Sequence, residues 1–362
     1  MIKIYTLGWE KTEQYKCVPV IPKTKVSIII PVRNEEKNIK SCLKNIEKQK
    51  YPLELLELII VDDNSTDKTF NIVSEYIKTK KNVYLFKNEK NNISKKSAIE
   101  KGVGHSSGEL IITTDADCFA GEKWIETIVN FYEKYHPKMI VSPVCFYKDK
   151  GFFKKFQTFE FFSLIASGAG AIKIKKPIMC NGANLAYQKK VFSEVNGFSG
   201  NKKYVSGDDV FLLQKIAKKH SGSSIKFLKN YDAVVFTEPQ KTLKDFINQR
   251  LRWTSKTKAH TNSWIIFNAV VVYLFNLILV SGLILSFFFQ NFWIIVLLLF
   301  IIKFIVDFPI LYDTAKFFKR KKLLWLYLPI QIIYSFYIVF IGLFGNFINF
   351  EWKGRKIKNK LY

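Results

Sequence analysis

The chain is poor in the features that would staple it covalently or send it out of the cell. Its five cysteines, Cys17, Cys42, Cys118, Cys145 and Cys180, are scattered over 362 residues with no C-x-x-C pair. That argues against a disulfide framework or a zinc site and fits reduced thiols in a cytoplasmic domain. The N-terminus, MIKIYTLGWEKTEQYKCVPVIPKTK, lacks the continuous apolar core of a signal peptide, so nothing there points to export of the domain that follows. Acids are scarce as well: 30 Asp and Glu stand against 56 Lys and Arg, for a formal net charge of +26.

Long uncharged runs are absent up to about residue 260 and dominate after it. Trp264 to Phe289 and Leu323 to Phe350 each exceed the ~20 residues a helix needs to cross a bilayer. The run between them, Phe292 to Tyr312, contains Lys303 and Asp307, which cost roughly 3 kcal/mol apiece on an insertion scale. Their i, i+4 spacing lets them pair on one helix face inside a bundle. A strongly basic chain suggests nucleic acid as a partner, but the membrane runs redirect that expectation. KFFKRKK (316–322) and WKGRKIKNK (352–360) flank the last hydrophobic segment, as expected for anchoring at an anionic cytoplasmic leaflet. A single full crossing between two basic flanks would put one of them outside, so either one segment is re-entrant or interfacial or the positive-inside tendency fails at one end.

The first part of the chain alternates strand and helix signals. VSIIIPVRNEE (26–36) is a β-branched run broken by Pro31, followed by helical spacing at Ile39, Leu43 and Ile46. LELIIVDDNS (56–65) repeats the pattern, with Ser65, Thr66 and Asp67 as capping residues before the next helix. NVYLFKN predicts a third strand, SKKSAIEKGVGHSSG a helix and a glycine-containing turn with His105 in that turn, and LIITTDADC a fourth strand. Such alternation implies an open, mostly parallel sheet with helices on both faces, and ligands then lie beyond the carboxyl ends of the strands. Arg33, Asp62, Asp63, Asp115 and Asp117 all fall on that edge. At i and i+2 of an extended segment Asp115 and Asp117 would face one spot, where they repel by roughly 3 kcal/mol at about 6 Å, a cost a divalent cation would reverse.

Together these residues resemble the family 2 inverting glycosyltransferases, with the nucleotide-diphospho-sugar transferase (GT-A) fold of cellulose, chitin and hyaluronan synthases and of ceramide glucosyltransferase. The likeness runs from about residue 25 onward. IIIPVRNEE is similar to the family's opening strand, VDDNSTDKT to its nucleotide-binding acids, DAD to its D-x-D metal motif, SGDDVFLLQKI (206–216) to its catalytic-base motif and QRLRW (249–253) to its Q-x-x-R-W motif. Each motif alone is weak; five in order before hydrophobic runs are specific. The division this implies is an N-terminal extension (1–24), a cytoplasmic GT-A domain (25–240), an amphipathic interface helix (241–262), a transmembrane region of about three segments (263–350) and a basic tail (351–362).

The resemblance assigns roles. Asp117, with Asp115 assisting, would hold Mg²⁺ or Mn²⁺ against the leaving diphosphate. Asp62 and Asp63 would accept hydrogen bonds from base and ribose, with Arg33 and Lys95 also on the nucleotide sugar. The register in SKKSA leaves Lys96 open beside Lys95, and Arg252 is a further phosphate cation. Inversion needs one base on the acceptor side, placed by the family at Asp209 with Asp208 as the alternative; both sit near a helix N-terminus, where the dipole favours an ionised acid. Asn184, in CNGANLAYQKKVF, is a candidate for acceptor hydrogen bonds. Gln249, Arg252 and Trp253 would lie on an amphipathic helix, Trp253 stacking on a sugar and Arg252 reaching the diphosphate, though a membrane-interface Trp and Arg would look the same. The Phe-rich GFFKKFQTFEFFSLIASGAGAIK (151–173) reads either as core or as an interfacial helix that delivers a lipid.

The expected protein is a multi-pass cell-membrane glycosyltransferase that uses a nucleotide-diphosphate sugar, a lipid or envelope-glycan acceptor and membrane lipids, and no nucleic acid. Long-chain polysaccharide synthesis is the alternative, although many synthases have an N-terminal hydrophobic segment that is missing here. An inactive membrane scaffold and a nucleotidyltransferase are rivals from other classes.

Overall fold

The computed structural model describes residues 1–18, 20–89, 93–201, 206–254, 262–345, 348–352 and 355–357. In chain order the first elements are α1 (Ile2–Lys11), β1 (Val26–Val32), α2 (Ile39–Glu47), β2 (Leu56–Asp62), α3 (Thr69–Ile77), β3 (Val83–Lys87), α4 (Lys95–His105), β4 (Leu110–Thr113), β5 (Phe119–Ala120) and α5 (Trp124–Tyr135). Then come β6 (Met139–Val141), β7 (Val144–Phe146), α6 (Phe152–Lys173), β8 (Leu185–Gln188), α7 (Lys189–Glu194), α8 (Asp208–His220), β9 (Ile225–Phe227) and β10 (Val235–Thr237). The C-terminal elements are α9 (Leu243–Thr254), α10 (Ser263–Leu285), α11 (Phe292–Phe317), α12 (Tyr327–Phe344) and the short strands β11 (Phe350–Trp352) and β12 (Arg355–Ile357). The end of the expected interface segment 241–262 and most of the basic tail fall outside the described residues.

These elements form two compact units that interleave along the chain: 11–147 with 171–238, and 1–10 with 148–170 and 239–362. The first is built on a seven-stranded sheet in the order β3-β2-β1-β4-β8-β6-β9. Its β1–β2, β1–β4, β2–β3 and β6–β9 pairs are parallel, and β8 runs antiparallel to both β4 and β6. Strands covered on both faces are mostly apolar, and all seven residues of β2 are buried, Glu57 and Asp62 included. Helix α4 lies close on this sheet, because a Cβ at Gly102 would stand 2.6 Å from Ile29 Cγ2. That contact explains the glycine in GVGH: it lies inside a helix that runs on to His105, rather than in the expected turn. A small second sheet, β5-β10-β7, completes the unit.

The second unit is helical. Helix α1 packs on α6, backbone to backbone at Gly8 and Gly170, and Tyr5 Oη donates to Asn268 Oδ1 of α10 at 2.7 Å. Phe156, Phe159, Phe161 and Phe162 of the Phe-rich stretch are all buried, as expected of core. Three helical stretches, Ser263–Leu285, Phe292–Phe317 and Lys321–Phe344, are long and apolar enough to cross a membrane. Within α11 the Lys303 ammonium pairs with Asp307 one turn on, so the two charges neutralise each other on one face.

Candidate active site

Parallel pairing brings the carboxyl ends of β1, β2 and β4 to one edge of the sheet, and polar loops stitch that edge together. Arg33, just after β1, donates from Nη1 to the carbonyls of Asp63 and Asn64 at 2.6 and 3.0 Å. Asn34 Oδ1 accepts from Thr66 N at 2.8 Å. Asp62 has no exposed surface and accepts from Ser65 N at 3.1 Å. Its Oδ2 thus closes the loop that follows β2, while its buried Oδ1 meets no hydrogen-bond donor among the described residues. Asp63, 3% exposed, accepts from Asn88 Nδ2 at 2.8 Å, and the same Nδ2 reaches Ser97 Oγ at 2.7 Å. Ser97 and Ser94 form the capping box of α4, so Asp63 is held by the start of the helix that carries the lysines. Asn88 was not singled out in the sequence, where it is one more polar residue after a strand.

The two lysines of SKKSA separate cleanly. Lys95 Nζ donates to Asp115 Oδ1 at 2.6 Å and lies 3.8 Å from Asp208 Oδ2. Burial alone would lower its pKa, but the Asp115 and Asp208 charges outweigh that and hold the ammonium above its ordinary value. Lys96 points elsewhere: its Nζ donates to the carbonyls of Asn201 and Ser206 at 2.8 and 3.2 Å and sits 4.9 Å from the Phe211 ring. With 2% exposure it holds the chain before α8, which corrects its candidacy as a phosphate cation.

Strand β4 stops at Thr113, and Asp115 to Cys118 form a turn closed by Cys118 N donating to Asp115 O at 3.2 Å. The alternation of an extended strand thus does not govern the two acids. Asp115 turns to Lys95, while Asp117 is exposed, with the Cys118 thiol 3.4 Å from its Oδ1.

Asp208 and Asp209 occupy the first turn of α8, after Gly207, whose φ of 88° suits glycine at this entry. Asp209 accepts from Gly182 N at 3.1 Å and from its neighbour Val210 N at 2.7 Å. A Cβ at Gly182 would lie 3.3 Å from Asp208 Oδ2 and 3.6 Å from Lys95 Nζ; the turn 182–184 therefore packs directly on the acids. Lys95, Asp115, Asp208 and Asp209 thus share one spot. Asn184 does not join them. It has no exposure, its Nδ2 donates to the carbonyls of Pro143 and Ala233 at 2.8 Å each, and its Oδ1 accepts from Trp124 Nε1 at 3.0 Å. Its candidacy as an acceptor contact is corrected: every polar atom is committed within the protein.

Gln249, Arg252 and Trp253 lie half-buried on α9, in the helical unit. Between them Arg250, unremarked in the sequence, is 2% exposed and meets Glu160 through Nε at 3.0 and 3.1 Å. Its guanidinium stacks 4.3 Å from the Phe246 ring and 4.2 Å from the Trp253 ring, and it donates to Gln249 Oε1. Tyr337 Oη donates to Glu160 at 2.9 Å.

Among the described residues no three His, Cys, Asp or Glu side chains form a metal cluster. Two carboxylates on one turn still fit Mg²⁺ or Mn²⁺, since such hard cations take one or two protein carboxylates and fill the rest of the shell with water and substrate phosphate.

Residues 27–195 match the model of glycosyl transferase family 2. The chain carries a glycosyl transferase family 2 domain. It is 34% identical over 119 residues to a dolichyl N-acetyl-alpha-D-glucosaminyl phosphate 3-beta-D-2,3-diacetamido-2,3-dideoxy-beta-D-glucuronosyltransferase of Methanococcus voltae, a match to 32% of this chain and 36% of that protein. With glycosyltransferase AglE of Haloferax volcanii it shares 25% identity over 229 residues, 63% of this chain and 71% of that one. Among solved structures, mannosyltransferase PcManGT from Pyrobaculum calidifontis, in complex with GDP-Man and Mn²⁺, has the same fold at TM-score 0.55 and 20% identity, covering 70% of this chain and 67% of that one. The family 2 domain so matched contains Arg33, Asp63, Lys95, Asp115 and Asp117 and ends before Asp208 and Asp209.

Proposed function

We propose that the chain is a membrane-bound, inverting, metal-dependent glycosyltransferase that moves a hexosyl group from a nucleotide-diphosphate donor to a lipid or envelope-glycan acceptor. Its family 2 domain works on the cytoplasmic side of the cell membrane, where nucleotide sugars are made. One observation carries the reading: Lys95, Asp115, Asp208 and Asp209 converge at the carboxyl edge of the sheet, beside the Gly182 turn. The Methanococcus relative named for a dolichyl-linked substrate and the fold neighbour holding GDP-Man and Mn²⁺ support it.

Asp63, fixed by Asn88, is the nucleotide-side acceptor of hydrogen bonds, and Arg33 braces the loop beside it. Lys95 is held charged by Asp115 and Asp208 and exchanges that contact for the donor's diphosphate. Asp117 and Asp115 would hold Mg²⁺ or Mn²⁺, which when bound would supply positive charge against the departing diphosphate. Asp209, oriented by the N–H groups of Gly182 and Val210, takes the proton of the acceptor hydroxyl. That oxygen bonds to the anomeric carbon as the bond from this carbon to the diphosphate oxygen breaks, and the electron pair leaves with the nucleoside diphosphate. Gln249, Arg252 and Trp253 are assigned to diphosphate and acceptor on their motif. Purified protein incubated with a panel of radiolabelled nucleotide sugars and membrane lipid extract tests the reading. Labelled lipid or glycan with nucleoside diphosphate released in equal amount supports it; pyrophosphate as the product overturns it.

A further inference from the structure

Of the three apolar helical stretches, α12 is placed differently from the other two. Helices α10 and α11 form an antiparallel hairpin, closed near its turn by Gly282, where a Cβ would lie 2.8 Å from Val296 Cγ2. Eight residues along α11 from that contact is Phe304, and nine back along α10 is Tyr273. By the helical rise both stand about 12 to 14 Å from the contact, so they mark the same height on the hairpin.

Both ends of α12 meet the hairpin at that height. At its start, Tyr327 Oη donates to Phe304 O at 3.1 Å and the two rings are 4.6 Å apart. At its middle, Tyr334 lies 5.3 Å from Lys303 Nζ. Near its end, a Cβ at Gly342 would lie 2.4 Å from the Tyr273 ring. A helix of 18 residues is about 27 Å long; had it run along the hairpin, its ends would differ in height by most of that length.

The polar helix α9 reports the same orientation. Phe246 meets Tyr337 at 5.4 Å, Leu251 packs on Ile341, and Thr254 Cγ2 lies 2.8 Å from a Cβ placed on Gly345. The offset between partners stays near 91 residues, so the end of α12 runs parallel to a helix that carries Lys244, Asp245, Arg250 and Arg252. After α12, β11 packs back against α9.

We propose that α10 and α11 cross the membrane and that α12 does not: it lies in the plane of the leaflet on α9's side, its outer face in the acyl chains and its flanks on anionic headgroups. Leu328, Ile332, Phe336 and Phe340 recur every four residues and are 40 to 63% exposed, while Ile330, Gln331, Ser335 and Val339 are buried against protein. The charges agree. The basic KFFKRKK precedes α12 and the strands β11 and β12 follow it in a basic stretch of sequence, whereas the turn between α10 and α11, SFFFQN, has no charge. An in-plane α12 removes the conflict that a third crossing creates.

The test uses the full chain in sealed membrane vesicles of both orientations, with Cys17 and Cys180 replaced by Ser and single cysteines introduced as Lys244→Cys (α9), Gln290→Cys (hairpin turn), Lys319→Cys and Lys356→Cys. A membrane-impermeant maleimide is expected to label positions 244, 319 and 356 from one side and 290 only from the other. Label at 356 from the side of 290 overturns the proposal, as does label at 290 from the side of 244. Spin labels at Leu328→Cys, Phe336→Cys and Phe340→Cys, on the outer face where folding is least disturbed, give a second readout. Equal depth at all three is expected; a steady increase in depth along the helix overturns the in-plane placement.

Discussion

Two charge clusters of the chain are built on opposite terms. Among the described residues Lys95 faces Asp115, Asp208 and Asp209, and the side chains of Lys95 and Asp115 keep 21% and 34% of their surface exposed. Around Arg250 one cation meets one acid, Glu160, with only 2% and 5% exposed. The first cluster gathers carboxylates at a surface, where a bound cation can join them. The second is neutral, stacked between rings and closed by Tyr337. On the proposed function, charge left open serves binding and chemistry, whereas charge sealed in holds helices together.

The largest expected effect is at the buried thiol beside the open cluster. Burial first, and then the Asp117, Glu35 and Asp115 charges, push the Cys42 thiol up to about 12. At pH 8 its alkylation in the folded protein is expected to run about a thousandfold slower than in the unfolded chain, whose thiols ionise near pH 8.5. The folded thiol keeps its proton where the unfolded one loses it, so this group makes stability fall as pH rises above about 8.5. Mass spectrometry of alkylated peptides against denaturant measures both.

Next in size is the sealed pair. Arg250→Ala strands Glu160 in the protein interior and is expected to cost about 3–5 kcal/mol, read as a lowered unfolding midpoint in detergent. Lys95→Ala should do the reverse, with a small change in unfolding but donor use weakened about tenfold to a hundredfold, mostly in KM, as for a lost hydrogen bond to charge of about 1.5–3 kcal/mol. If Lys95→Ala unfolded the protein as Arg250→Ala does, the contrast between the clusters would be void. Asn184→Ala should cost about 1–3 kcal/mol in stability by leaving buried partners unsatisfied, with the KM of the acceptor unchanged once the protein is folded.

The parts of the fold that could be read from sequence are those where one physical rule dominates. β1 and β2 are almost wholly buried and so appear around the apolar runs Ile28–Ile30 and Leu58–Val61, and the three long apolar helical stretches announce themselves by length. β8 was not foreseen: four residues, LAYQ, insert antiparallel between β4 and β6, a placement set by tertiary pairing. In the site, acids at strand ends were visible as a group, but their tasks were not. Asp62 and Asn184 are as polar as Asp209, yet they are met by backbone groups up to 49 residues away and, at Asn184, by the Trp124 ring 60 residues away. Lys95 and Lys96 are neighbours in sequence, and the turn of one helical residue sends one to carboxylates and the other to carbonyls. Arg250 and Glu160 lie 90 residues apart, beyond any local pattern.

The assignment of proton transfer to the open cluster is tested most directly by single-turnover transfer with Asp209→Asn, alongside calorimetric donor binding to the same protein. The amide keeps an oxygen for the Gly182 N–H but cannot take a proton, so donor affinity should stay within about threefold while the rate falls about 10²–10⁴-fold, the usual contribution of a general base. An unchanged rate in the folded variant would contradict the assignment.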